Sequence, residues 1–330
     1  QIGQPLTGHT DWVNAVAAVP LSDEPTLIAT GSDDVTIRLW DPTTATQIGK
    51  PLIGHEGTVL SAAAIPLPDR RVVIATGGSD TTVRLWDPTT ATQIGEPLTG
   101  HEGWVSAVAA VPLPDGRVLI ASGSYDATVR LWDPTTSTAV GEPFGTHKDA
   151  VYAVAAVPLP DGRVLIASGS YDATVRLWDP TTGHQIGHLT GHNLVYSVAA
   201  IPLPDGRTLL ATGGLDAKIR LWDPTTGAQI GAPLTGHQKT VRAIAAVPLP
   251  NGHTLIATGS DDRTVRLWNP ITTHQIGQPL TGHEGWIRAM AAAQLADGRT
   301  CLVTGGDDRA ILVWAPQAWN SALAPRRNGD

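Results

Sequence analysis

The sequence predicts an all-β fold: seven four-stranded antiparallel units sharing one continuous core, read from three observations. Residues 107–136 recur letter for letter at 153–182, a period of 46. A His and a Trp recur seven times each, 31 residues apart in every unit except the fifth, where the separation is 30. Between these marks lie short β-branched and apolar runs punctuated by Pro, Asp and Gly, the pattern of strands joined by tight turns.

Each unit yields four strands in order. In the third, 105–111 and 117–122 are apolar runs separated by Pro-Leu-Pro-Asp-Gly, where proline fixes φ and glycine supplies positive φ, so the two form a hairpin. Gly123-Ser124-Tyr125-Asp126 turns the chain into 128–132, and Asp133-Pro134-Thr135-Thr136 turns it again into a weaker segment around 139–144. The strands are apolar on both faces, as expected of sheets packed between neighbouring sheets.

Composition bounds the rest. A chain of 330 residues ordinarily divides into domains, but repeats share a core, which favours one domain over residues 1–316 followed by a C-terminal tail, 317–330. Phe, Met and Cys occur once each, so the core rests on Val, Leu, Ile, Ala and Trp. A net charge of −8 disfavours nucleic acid and anionic membrane as partners and suits a partner of basic character. The single Cys301 excludes an intramolecular disulfide and a thiolate metal cluster. No apolar run reaches membrane-spanning length and Gln1 opens no signal-peptide pattern, which points to a cytoplasmic setting. The chain nevertheless opens in mid-pattern, as an excerpt of a longer polypeptide would.

A four-stranded unit of this length bearing Gly-His and Trp-Asp marks describes a propeller blade, and residues 1–316 resemble the WD-repeat family of β-propellers. The resemblance implies a buried tetrad in each blade: a His, a Ser or Thr on the second strand, an Asp in the following turn and the Trp. In chain order these are His9, Thr30, Asp34 and Trp40; His55, Thr76, Asp80 and Trp86; His101, Ser122, Asp126 and Trp132; and His147, Ser168, Asp172 and Trp178. The last three sets are His192, Thr212, Asp216 and Trp222; His237, Thr258, Asp262 and Trp268; and His283, Thr304, Asp308 and Trp314. Indole only donates, hydroxyl and imidazole both donate and accept, and carboxylate accepts, so the four can satisfy one another where water is excluded. Such histidines are structural, with no metal or catalytic role. Asn269 and Ala315 stand where other blades have Asp after the Trp, so that Asp caps a turn. Lys218 and Ala310 replace a Thr and signal local changes in blades five and seven.

The ends of the chain are complementary. Residues 1–6 match the fourth-strand segment 275–280 residue for residue, and no such segment follows Trp314. Residues 1–6 are therefore expected to be the outer strand of blade seven, closing the ring.

Specificity must come from positions at which the blades differ, and three vary: Trp12, Thr58, Trp104, Ala150, Leu194, Thr240 and Trp286; two residues on, Asn14, Leu60, Ser106, Tyr152, Tyr196, Arg242 and Arg288; and, before the tetrad Asp, Asp33, Ser79, Tyr125, Tyr171, Leu215, Asp261 and Asp307. By resemblance to WD-repeat proteins they ring the top of the central channel, where partners bind. Candidate partner-binding residues are Trp12, Trp104, Tyr125, Tyr152, Tyr171, Tyr196, Arg242, Asp261, Trp286, Arg288 and Asp307. They make an aromatic sector beside a charged one, suited to a peptide with an apolar anchor and a charged neighbour. On the other reading, the tryptophans cover strand ends and Arg and Asp pair across adjacent blades.

Other features are structural. Arg38, Arg84, Arg130, Arg176, Arg220 and Arg266 share one strand position and read as packing. His184 and His188, four apart, carry only the thinnest metal signal, and Pro-Asp-Gly at 114–116 lacks the carboxylates of a calcium loop. No phosphate loop, nucleophile elbow or acid–base pair appears. The sequence therefore points to a non-catalytic, cofactor-free, monomeric scaffold that binds a protein or peptide on its top rim. The alternatives are a sensor or autoinhibitory module of a larger kinase or nucleotide-hydrolysing polypeptide, and a propeller enzyme with a channel active site. The resemblance implies that, as in bacterial and eukaryotic relatives, such a propeller sits beside a kinase or nucleotide-hydrolysing domain of a signalling protein, and the Ala-, Gly- and Arg-rich, Lys-poor composition suits a high-GC bacterial source.

Overall fold

The computed structural model describes residues 1–21, 25–145, 147–295 and 298–315, so the tail 317–330 lies outside the described residues. Seven four-stranded antiparallel sheets make up the structure, with no helix among the described residues. In six sheets the strands follow chain order, as in Val105–Pro112, Val118–Ser124, Val129–Asp133 and Thr138–Ala139 of blade three. The first strands of successive blades pack on one another around the central axis. Their alanines, such as Ala107 and Ala153, keep side chains small where seven strands converge.

Apolar layers between blades form the core. One of them packs Val111, Leu119 and Leu131 of blade three against Val151, Ile166 and Trp178 of blade four. The glycine that opens each turn sequence is required by this packing: a Cβ on Gly123 would come within 2.6 Å of Val151 Cγ1. The same step closes the ring, where a Cβ on Gly305 would lie 2.5 Å from Val13 Cγ1.

The seventh sheet joins the ends of the chain. Strand Ile2–Leu6 lies antiparallel to Ile311–Trp314, with Ile2 opposite Val313 and Leu6 opposite Ile311. Leu6 is 1% exposed and packs with Val13, Ile311 and Val313. The N-terminal strand thus covers the edge that Ile311–Trp314 would otherwise expose.

Two blades depart locally from the sequence reading. The fourth strand of blade three, expected around 139–144, is confined to Thr138–Ala139 with one further bridge, Val129 to Phe144. In blade one Gln47 Oε1 accepts from Arg38 Nη1 at 2.6 Å while its amide donates to Gly49 O at 2.9 Å, pinning the outer strand; Ala139 can do neither. In blade five Lys218 lacks the hydroxyl that Thr36 gives Asp34 in blade one at 2.6 Å. Arg220 takes its place, donating to Asp216 at 2.7 Å, and is 8% exposed.

Candidate functional site

The site is built on the tetrads. In blade three Trp132 Nε1–H donates to Ser122 Oγ at 2.8 Å, Ser122 Oγ lies 2.7 Å from His101 Nε2, and His101 Nδ1 lies 2.7 Å from Asp126. Because the indole only donates, the hydroxyl must accept from it and give its own proton to Nε2, which leaves Nδ1–H for the carboxylate. One tautomer therefore satisfies all four groups. The same chain runs through Thr30, Thr76, Ser168, Thr258 and Thr304, with every imidazole–hydroxyl distance 2.7 or 2.8 Å. Blade five keeps Thr212 at 2.8 Å from His192 Nε2, but Arg220 Nη1 sits 2.8 Å from Nδ1 and competes for it with Asp216.

Burial pushes His9, His147 and His192 below the ordinary imidazole value, so they are neutral, as the tautomer requires. Burial would raise the partner carboxylates, but hydrogen bonds from imidazole, hydroxyl and backbone outweigh it. They hold Asp80, Asp126 and Asp262 well below the usual carboxylate range and Asp172 at about 2.

These carboxylates also fix the loops above them. Asp126 accepts from the backbone N–H of Glu102 at 3.0 Å and of Thr128 at 2.9 Å, tying the loop into the first strand to the turn after the second. A second clamp joins the same two segments in every blade, for instance Tyr125 N–H to Trp104 O at 2.9 Å, Tyr171 to Ala150 at 2.9 Å and Asp307 to Trp286 at 3.0 Å. The two outer variable positions of each blade are thus held side by side.

The third variable position is set by a β-bulge. Pairing of the first two strands shifts between Val105 and Ala107 in blade three, and at the corresponding step in the other six blades. The extra residues are Asn14, Leu60, Ser106, Tyr152, Tyr196, Arg242 and Arg288. A bulge re-aims its side chain. All seven line one cavity of about 390 Å³ at the mouth of the channel, joined by Tyr125.

Around this mouth the predicted rim residues form a continuous arc. Ring centroids of Trp104 and Tyr125 are 5.1 Å apart, those of Tyr125 and Tyr152 5.2 Å, and Tyr152 lies 5.9 Å from Tyr171 and 4.9 Å from Tyr196. Arg242 continues the arc, its guanidinium carbon 4.8 Å from the Tyr196 centroid and 5.1 Å from that of Trp286. Arg288 stacks on Trp12 at 4.4 Å and reaches Trp286 at 5.9 Å. The hydroxyls of Tyr125 and Tyr152 are 3.1 Å apart, and burial together with this contact raises the Tyr152 phenol well above its ordinary value.

The chain matches the WD40 repeat pattern (WD domain, G-beta repeat) at residues 1–41, 46–87, 92–133, 139–179, 183–223, 229–269 and 274–315. It belongs to the WD40 family. A 46-residue stretch, 13% of the chain, is 48% identical to the protein transport protein SEC13 of Chaetomium globosum and covers 16% of that protein.

The rim of this WD40 propeller differs from the sequence reading in its pairing. Arg242 grips Asp261 through Nε and Nη2 at 2.5 and 3.1 Å, and Arg288 Nε donates to Asp307. Both pairs lie within one blade, not across adjacent blades, because the bulged residue faces the turn of its own hairpin. What crosses between blades is ring stacking and the hydroxyl contact of Tyr125 with Tyr152. Asp261 is 5% exposed and stands behind Arg242, whereas Trp12, Trp104 and Trp286 are 38–49% exposed. Asn14 donates to Asp33 at 2.6 Å, a third pair of the same kind that sequence reasoning passed over. The bulge and its alignment of the three pairs had no sequence signal, since its neighbours, Val and Ala, are those of an ordinary strand.

Proposed function

We propose that this propeller is a non-catalytic scaffold whose top rim receives a protein or peptide partner. WD40 propellers are typically interaction scaffolds and generally non-catalytic. The observation that carries the reading is the arc of half-exposed aromatic rings and stacked guanidiniums, fixed by bulges, backbone clamps and tetrads. Tyr, Trp and Arg held rigid before binding are the residues that dominate interface energetics. Exposed Asp11, Glu56, Glu102, Asp149 and Glu284 share the loops around the arc with exposed Lys148, Lys218, Lys239, Arg263 and Arg309, so the basic character of the partner rests on the net charge of −8. The likeness to a protein transport protein spans one repeat length and speaks for the scaffold, with no partner implied.

Affinity capture with the wild type beside a Tyr125→Ala, Tyr171→Ala, Arg288→Ala triple variant tests this. The variant is expected to stay folded and to lose the captured partner, with a melting temperature lowered only as far as an Arg288→Ala single variant lowers it through the loss of the Asp307 pair. Retention of the partner would move the binding surface off the rim.

A further inference from the structure

The acidic net charge of the chain reverses at the channel mouth. Arg242 and Arg288 line the cavity there, but their partners Asp261 and Asp307 do not, and among the described residues no other carboxylate does. Each ion pair is thus a dipole whose positive end faces the cavity. Asp261 engages Nε and Nη2 of Arg242, and Asp307 engages Nε of Arg288. Nη1 of Arg242 and both terminal nitrogens of Arg288 have no hydrogen-bond partner among the described residues. Their planes are fixed by stacking on Tyr196, Trp286 and Trp12, so donor edges are oriented before any ligand arrives. The neighbouring wall is Tyr152 and Tyr196, apolar faces with hydroxyl tips. A cavity of about 390 Å³ falls within the range of small-ligand sites.

We propose that the channel mouth is a carboxylate site: it takes an acidic side chain or C-terminal carboxylate of the partner, held by Arg242 and Arg288, with an adjoining apolar group against Tyr152 and Tyr196. This inference rests on the rim being the partner surface. It refines the partner to one that presents a single acidic tip to the mouth, on a body whose basic character follows from the net charge of −8. A planar monoanion matches the forked guanidinium edges. A dianion fits less well, because Asp261 and Asp307 already balance the two arginines.

Four probes titrated into ¹⁵N-labelled protein test this, following the Arg Nε–H resonances of Arg242 and Arg288. N-acetyl-Phe-Glu-amide carries a side-chain carboxylate, N-acetyl-Gly-Phe only a terminal one, N-acetyl-Phe-Gln-amide neither, and N-acetyl-phosphotyrosine-amide a phosphate. A saturable shift with either carboxylate and none with the Gln peptide is expected, and the tighter carboxylate identifies the source. Arg242→Lys and Arg288→Lys keep the charge but lose the fork, and each is expected to weaken binding about tenfold. Leu60→Glu, which places a carboxylate inside the cavity, should abolish it and covers the case in which a lysine variant fails to fold. Equal response to the Glu and Gln peptides, or tighter binding of the phosphate, overturns the proposal. Failure here with a rim-dependent partner capture would remove only the carboxylate assignment, whereas rim-independent capture would remove the docking surface itself.

Discussion

Replacing Ser122 with Ala removes one atom that serves two partners. Ser122 Oγ is fully buried, accepts from Trp132 Nε1–H at 2.8 Å and lies 2.7 Å from His101 Nε2. Trp132 and His101 are 2% and 5% exposed, so water cannot replace the hydroxyl without opening the blade. Leaving a buried polar group unpaired costs about 1–3 kcal/mol, and two are left, so the expected loss is about 2–6 kcal/mol. Against a total of about 5–15 kcal/mol for a folded domain this is a large fraction. Ser122→Thr is the control, since Thr30, Thr76, Thr212, Thr258 and Thr304 do the same work in other blades with matching distances; it should change stability by less than about 0.5 kcal/mol. Urea unfolding followed by tryptophan fluorescence gives both values, provided the slope is common to all variants. A Ser122→Ala cost below about 1 kcal/mol, or a Thr variant as damaging as the Ala variant, would refute the idea that the tetrad acts as a closed donor–acceptor chain.

Leu6→Ala, which hollows the cluster joining the chain ends, should cost about 2–5 kcal/mol in the same assay; deleting residues 1–6 should in addition bare the edge of Ile311–Trp314 and yield oligomers by light scattering, and a monomer of unchanged melting temperature would contradict the closure. Val35 holds φ 65°, a left-handed conformation that costs a β-branched residue about 1 kcal/mol or more; Val35→Gly should raise the urea midpoint, and a lowered one would show the strain to be absent. Stability should also fall with acid in two stages. Burial holds His9, His147 and His192 below the ordinary imidazole value of 6.5, so the folded state resists protonation and stability is lost as pH drops beneath that value. The tetrad carboxylates, Asp172 at about 2 among them, add a second loss below 3.8. Melting temperatures from pH 8 to 3 check both stages, and any rise in stability below pH 6 would contradict them.

The repeat made the architecture readable because a pattern copied seven times separates scaffold from variation without any structure. It showed which residues are held constant and also, through the match of 1–6 to 275–280, how the ring shuts. What it could not show was the direction in which a variable side chain points. Arg242 and Asp261 are 19 residues apart, a spacing that suggests nothing, and only the bulge at Arg242 brings them within 2.5 Å. Lys218 marks blade five as different in the sequence, but the replacement by Arg220 depends on a side chain that reaches back four residues to Asp216. The shortened outer strand of blade three follows from one missing amide at Ala139, whose importance emerges only once Gln47 and its counterparts are seen bridging an arginine to the backbone.

Blades three and four show how the two layers of information are kept apart. Their scaffolds are identical over thirty residues, so Tyr125 and Tyr171 begin from the same turn and the same clamp. Yet Tyr125 stacks on both Trp104 and Tyr152, whereas among the described residues Tyr171 stacks on Tyr152 alone, because Ala150 stands where Trp104 does. The difference comes wholly from residues outside the duplicated stretch, at the loop and bulge positions. Those positions are anchored through backbone hydrogen bonds, which any side chain permits, and they project away from the interblade core. A change there can therefore alter what the mouth recognises without touching the packing or the tetrad beneath it. The bulge gives the fold seven such positions on a single cavity, and the pairing of Arg242 and Arg288 with buried or half-buried aspartates shows that charge can be brought to them while its counter-ion stays behind.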